Sequence, residues 1–218
     1  MSNDNFVELR NKQLGEKLVK NLEKRHFEAF FAKTKEEAMA IALNLIPKEE
    51  SVSWGGSKTV VDTGLIDYLI NNNYKVINRD LAKDAEEKYL LLTQALTSFT
   101  YLTGTNAITV DGELVNVDCI GNRVAALMFG PKNVIVIIGV NKISKDLDEA
   151  VSRARNYAAP VNMQRISAVS GKKTPCLTDG VCHNCLSSDS ICSNIVITRL
   201  CNPLGRIKVI LVNENLGF

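Results

Sequence analysis

Apolar residues recur along the chain with two different periods, and the changes between them mark out its elements. Phe6, Leu9, Leu14, Leu18 and Leu22 fall three to five residues apart, which predicts an amphipathic first helix. The run His26 to Ala32 reads as a strand. Thr34 followed by Glu37 is a capping box, opening a helix through Ile46 that Pro47 closes. Ser51 to Trp54 is a strand, Gly64 to Asn71 helical, Tyr74 to Asn78 a strand and Ala82 to Leu96 a helix. Alternation of this kind predicts an α/β protein with a mainly parallel sheet covered by helices.

After Phe99 the pattern turns β-like. Tyr101 to Gly104 and Ala107 to Val110 read as strands, and Asp111-Gly112 is a hairpin turn before Leu114 to Cys119. Gly121-Asn122-Arg123 opens a short helix ending near Phe129. Asn133 to Val140 is a buried strand, and Leu147 to Ala158 a helix stopped by Pro160. Asn194 to Leu200 and Arg206 to Val212 alternate about Asn202-Pro203-Leu204-Gly205, which predicts a C-terminal hairpin. No internal repeat or linker divides the 218 residues, so the expectation is a single domain over 1–218 with a cysteine-rich segment at about 174–202.

Composition adds exclusions. A net charge of +2 with no long basic stripe argues against nucleic acid as the main partner. The longest apolar run, Val134 to Ile138, is strand-length and far too short to span a membrane. MSNDNFVELRNK lacks the apolar middle of a signal peptide, so the expected location is cytoplasmic.

That expectation bears on the densest chemistry in the chain. Cys176, Cys182, Cys185 and Cys192 are spaced C-x5-C-x2-C-x6-C, with His183 inside the middle pair and Cys201 close behind. Reducing surroundings favour a metal over disulfides for such thiols, although a Cys176–Cys192 pair stays open. The first three positions approach the plant-type iron–sulfur spacing C-x4-C-x2-C within one residue. Tetrahedral zinc usually takes two C-x2-C knuckles, and only one is present. His183 or Cys201 are candidates to replace one of the four ligands.

Two further groups are candidate ligand contacts. Gly55, Gly56, Ser57, Lys58 and Thr59 lie where a strand feeds a helix, a place where backbone N–H groups meet anions, or simply a tight turn that needs glycine. Asp118, Asn122 and Arg123 offer an arginine clamp for a carboxylate or phosphate, or a structural Arg123–Asp118 pair. Cys119 stands outside the cluster, a reactive thiol or a buried small hydrophobe. Two histidines are too few for a serine–histidine–aspartate reading.

The segment TGTNAITVDGELVNVDCIGNRVAALMFGPKNVIVIIGVNKI resembles the LUD (lactate-utilisation) domain family. WGGSKT with Thr63-Gly64-Leu65 upstream, the TPC…GVC…C…IC stretch and the closing ILVNENLGF are similar to it as well. The resemblance implies a three-layer α/β/α fold like that of sugar-phosphate isomerases and coenzyme A transferases. It also implies an accessory role in bacterial oxidation of lactate to pyruvate beside partner subunits of a lactate-oxidising complex. In that redox context the four cysteines are expected to hold an iron–sulfur cluster, with structural zinc as the alternative. The other reading is a transferase or isomerase acting on a small acyl-coenzyme A or phosphorylated substrate. The coenzyme A transferase likeness also makes Glu113 the one acid to consider as a nucleophile, although it follows the Asp111-Gly112 turn and reads more simply as a solvated hairpin glutamate.

Overall fold

A computed structural model describes residues 3–218. Helix α1 (Asn3–Lys24) leads into strand β1 (Glu28–Ala32) and helix α2 (Lys35–Leu45), whose cap Thr34 accepts the Glu37 N–H at 3.3 Å. Strand β2 (Ser51–Trp54) is followed by α3 (Lys58–Asp62), α4 (Leu65–Asn71) and a two-residue β3 (Lys75–Val76). Helix α5 (Ala85–Ala95) precedes β4 (Thr100–Thr103), β5 (Ala107–Thr109), β6 (Leu114–Asp118), α6 (Asn122–Met128) and β7 (Asn133–Gly139). Then come β8 (Ile143–Ser144), α7 (Leu147–Arg153), α8 (Ala159–Ser170), α9 (Cys176–Asp179), β9 (Asn194–Thr198) and β10 (Ile207–Val212).

The main sheet has six strands in the order β1-β10-β7-β4-β2-β3, every pairing parallel. Parallel strands covered on both sides read as continuous apolar runs, and β7, NVIVIIG, is buried at every position. Its side chains alternate between two cores. Val134, Val136 and Ile138 pack with Leu18 and Leu22 of α1 and with Ala126 and Leu127 of α6. Ile135 and Ile137 pack with Ala38 and Ala42 of α2, Val60 of α3 and Leu65 and Leu69 of α4. Helix, sheet and helix make the expected three-layer α/β/α arrangement.

A second sheet, β8-β5-β6-β9, sits beside this one. The Asp111-Gly112 turn joins β5 to β6 with Ala107 opposite Val115, as the turn residues predict. Ala107, Val115 and Val117 face Ala150 and Ala154, a small third core.

The expected strand Tyr74–Asn78 is shortened to Lys75–Val76, and three further differences from the sequence expectation have a visible physical reason. The C-terminal hairpin is absent: β9 joins β6 antiparallel at the edge of the small sheet, while β10 inserts between β1 and β7 of the main sheet. The burial of each strand explains the separation. β9 alternates half-buried and exposed, suiting an edge, whereas β10 is almost wholly buried and suits a central parallel strand. Pro160 does not stop a helix. Residues Ala154–Ala158 form a π turn that runs unbroken into α8, and the helix continues through Pro160, the widened turn accommodating a residue that has no N–H to donate. Finally, the helix expected from Ala82 begins at Ala85, because Asp84 caps it.

Asp84 accepts the Glu87 N–H at 2.8 Å, and the Glu87 carboxylate accepts the Lys83 N–H at 2.8 Å. Asp84→Ala is expected to cost about 1 kcal/mol, the usual weight of an N-cap, read as a lower urea midpoint at unchanged slope.

Candidate functional site

The carboxyl ends of parallel strands are where ligands collect in open α/β sheets, because loops diverge there and leave room. Here the loops after β2, β3, β4 and β7 bring Gly56 to Lys58, Arg79, Gly104 to Asn106, and Lys142 to one cavity of about 380 Å³. The end of β6 and the start of α6 add Asp118, Cys119, Asn122 and Arg123. Lys88 comes from α5, and Asn162 and Arg165 from α8. Gly56, Ser57, Lys58, Asp118, Asn122 and Arg123, two separate groups in the sequence, thus line one space. Gly55 stands just behind the wall, where a Cβ would meet Arg123 Cγ at 2.9 Å and the Tyr101 hydroxyl at 3.0 Å. Tyr101 itself is buried, which pushes its pKa up to about 12.

Arg123 is buried and its N–H groups are committed. Nη1 donates to Gly104 O at 3.2 Å and to Asn116 Oδ1. Nη2 donates to Val117 O at 2.7 Å and to Asn106 Oδ1 at 3.2 Å. Nε lies 3.8 Å from the Asp118 carboxylate, whose oxygens also accept from Cys119 N and Val124 N. Burial lowers the arginine's pKa and the Asp118 charge opposes it. This side chain holds the end of β6 against the loop after β4. It shapes the wall of the cavity with few donors left for a ligand.

The cavity is cationic. Lys58, Arg79, Lys88, Arg123, Lys142 and Arg165 line it against one acidic side chain, Asp118, already engaged. Lys58 pairs with Asp62, and Arg165 donates to Asn162 on its own helix. Arg79 Nε is buried without a hydrogen-bond partner, its nearest charge being Asp80 Oδ1 at 3.6 Å.

The residue that sequence reasoning missed is Lys142. It is only 5% exposed, and Nζ donates to Thr59 Oγ1 at 2.8 Å and Thr105 O at 3.1 Å, with no salt bridge among the described residues. Burial lowers its pKa to about 7, helped by the charges of Arg153 and Arg123 and opposed by Asp62. Gly217 passes beside it in a left-handed conformation (φ 60°), and a Cβ there would stand 3.3 Å from Nζ. A lysine three residues past the end of β7 carries no sequence signature. Its only trace was the apolar strand ahead of it, which ends at the carboxyl edge of the sheet.

A second, smaller cavity of about 80 Å³ is lined by Cys176, Cys182, Cys185 and Cys192, with His183, Arg155 and Ser190. The four cysteines of the motif therefore face one space, and all six thiols of the chain are free. Among the described residues, no group of three or more His, Cys, Asp or Glu side chains is close enough together to hold a single metal ion. Cys192 keeps an exposed face, yet loss of hydration around its thiol, and then the neighbouring thiols, push its pKa up to about 11. His183 turns toward the Asp179 carboxylate at 2.9 Å. Cys201 is outside this space. It is fully buried in the main core, donating to Pro203 O at 3.2 Å and accepting the Ile207 N–H at 3.3 Å. Glu113, paired with Arg25 at 3.5 Å, lines neither cavity.

The two cavities share walls. Asn162 and Arg165 of α8 face the larger one, and Ala159 and Pro160 the smaller. Ile191 lines one and Cys192 the other, while Cys119 Sγ in the larger cavity reaches Ser190 O at 3.5 Å.

A family model for the LUD domain matches residues 15–212, nearly the whole chain. The chain belongs to the LUD domain family. The fold of this LUD domain is similar to the crystal structure of a DUF162 family protein from Deinococcus radiodurans, with a TM-score of 0.53 and 13% identity over 94% of this chain and 98% of that one. A further similar structure is eIF2B delta from Chaetomium thermophilum, with a TM-score of 0.36 and 12% identity over 63% of this chain and 57% of that one. No curated protein matches the chain. Among the described residues no helix of the LUD domain is long and apolar enough to cross a membrane.

Proposed function

We propose that this LUD domain is an accessory redox protein of lactate utilisation, with an iron–sulfur cluster held by Cys176, Cys182, Cys185 and Cys192. Family membership supports the association with lactate utilisation. The observation that carries the cluster is the facing of four thiols onto one void. A single zinc ion draws four sulfurs to 2.3 Å, hence about 3.8 Å from one another, and leaves no space between them. Here the four cysteines line a space of about 80 Å³ together with seven other residues, and among the described residues no three ligating side chains converge on a single point. Thiolates around a roomier centre suit a cluster of several atoms.

Such a cluster supplies one-electron chemistry. The chain's own residues set its surroundings. Arg155 places positive charge in the same cavity, offsetting the thiolates. Thr174 Oγ1 lies 3.2 Å from Cys176 Sγ, the scale of a hydroxyl–sulfur hydrogen bond that steadies a ligand. With α8 and residues 190–192 as a shared wall, such a centre would lie next to the cationic cavity.

Protein prepared without oxygen is expected to be coloured and to contain iron and acid-labile sulfide. Cys185→Ser is expected to remove most of both. A colourless, iron-free protein with one equivalent of zinc would replace the electron-transfer role with a structural one. The transferase or isomerase reading is favoured only by the anion-ready character of the larger cavity.

A further inference from the structure

Several features of the larger cavity stand unexplained by a redox role. An amine is buried beneath it without a carboxylate partner, and Asp118, the acidic side chain that lines the cavity, is already engaged. The amine is held at two points, by a threonine hydroxyl and a backbone carbonyl, so Nζ is fixed in position. Arg79 and Lys88 line the same space without a bound acid other than the 3.6 Å neighbour Asp80. The buried Arg79 Nε has no hydrogen-bond partner, which leaves a donor for an incoming anion. At about 380 Å³ the space suits a small molecule.

We propose that Lys142 is a nucleophilic amine, and that the cavity takes a small carbonyl compound carrying an anionic group, which Lys142 captures as an imine. The cations orient the anionic end and leave the carbonyl carbon facing Nζ. The nitrogen lone pair forms the C–N bond while the carbonyl π electrons move to oxygen, giving a carbinolamine. Loss of that oxygen as water, with two protons, leaves the C=N bond, so no oxidant or reductant is consumed. Buried lysines beside other cations are suited to this role because they hold a free lone pair near neutrality. The low pKa of Lys142, about 7, agrees with that, and the charged groups that set it are Arg153, Arg123 and Asp62. This inference does not depend on what the cysteines hold.

The test is reductive trapping on the full chain. Protein is incubated at pH 7 with sodium cyanoborohydride and, in parallel, with pyruvate, dihydroxyacetone phosphate, or acetone. The expected result is one adduct per chain with at least one anionic probe and little with acetone. Peptide mapping is expected to place it at Lys142. An exposed lysine with an ordinary pKa near 10.4 offers roughly 10³-fold less free amine at pH 7, so labelling elsewhere should be far weaker. Trapping should rise to half its maximum near pH 7, and Lys142→Met should abolish it. Mapping on the unaltered chain needs no variant, so a misfolded Lys142→Met does not blunt the test. No adduct with either anionic probe, equal labelling by acetone, or label spread over surface lysines would overturn the proposal. Phosphate-bearing against carboxylate-bearing capture separates the two sources of the anion.

Discussion

Arg123→Ala is expected to destabilise the protein by about 3–5 kcal/mol, the scale for removing one partner of a buried ion pair. The cause is what the guanidinium leaves behind. Asp118 would be a half-buried carboxylate without its cation, and Asn116 Oδ1, Gly104 O and Val117 O would each lose a donor inside the protein. Arg123→Lys is expected to recover little, because one ammonium cannot reach four acceptors set around a planar fork. Urea unfolding of the two variants checks both statements. A loss under about 1 kcal/mol, the scale of an exposed pair, would mean that the side chain is free for ligands after all.

Lys142→Met is expected to do the opposite. Shifting the amine from its usual 10.5 to about 7 corresponds to roughly 4–5 kcal/mol, at about 1.4 kcal/mol per pH unit. Losing the hydrogen bonds to Thr59 and Thr105 offsets about 1 kcal/mol each, so a net gain of about 2–3 kcal/mol is expected at pH 7. The sign follows from proton binding. Between pH 7 and pH 10 the unfolded chain carries the lysine proton and the folded chain does not, so the parent protein grows more stable as pH rises. The methionine variant lacks that slope. Its advantage should be largest at pH 7 and below, and fade toward pH 10. Unfolding at both pH values tests this; equal advantage at each would remove the low pKa from the account. A residue whose removal stabilises the fold is retained for something other than stability.

Much of this was legible along the chain. The turn Asp111-Gly112 specified the β5–β6 hairpin, and the capping box at Thr34 placed the start of α2, because both act within a few residues. The unbroken NVIVIIG run marked a strand buried on both faces. The pairing of β10 was not legible. Which of two apolar strands joins the central sheet depends on neighbours far along the chain, not on the turn between them. Pro160 misled for a related reason: a π turn shifted the register of the helix into which it enters.

The candidate site divides in the same way. The cysteine spacing alone brought Cys176, Cys182, Cys185 and Cys192 together, because residues so close in sequence have few ways to avoid one another. The glycine loop after β2 also announced itself through local chemistry. Lys142 did not. Its character comes from Thr59 on α3, Thr105 after β4, Arg123 on α6 and Arg153 at the end of α7, which meet only when the parallel strands align their carboxyl ends. Sequence thus determined what local spacing and backbone preference can enforce: element types, the turn, the caps and the thiol cluster. Burial and charge around a single amine are sums over distant groups, so only the tertiary structure decided them.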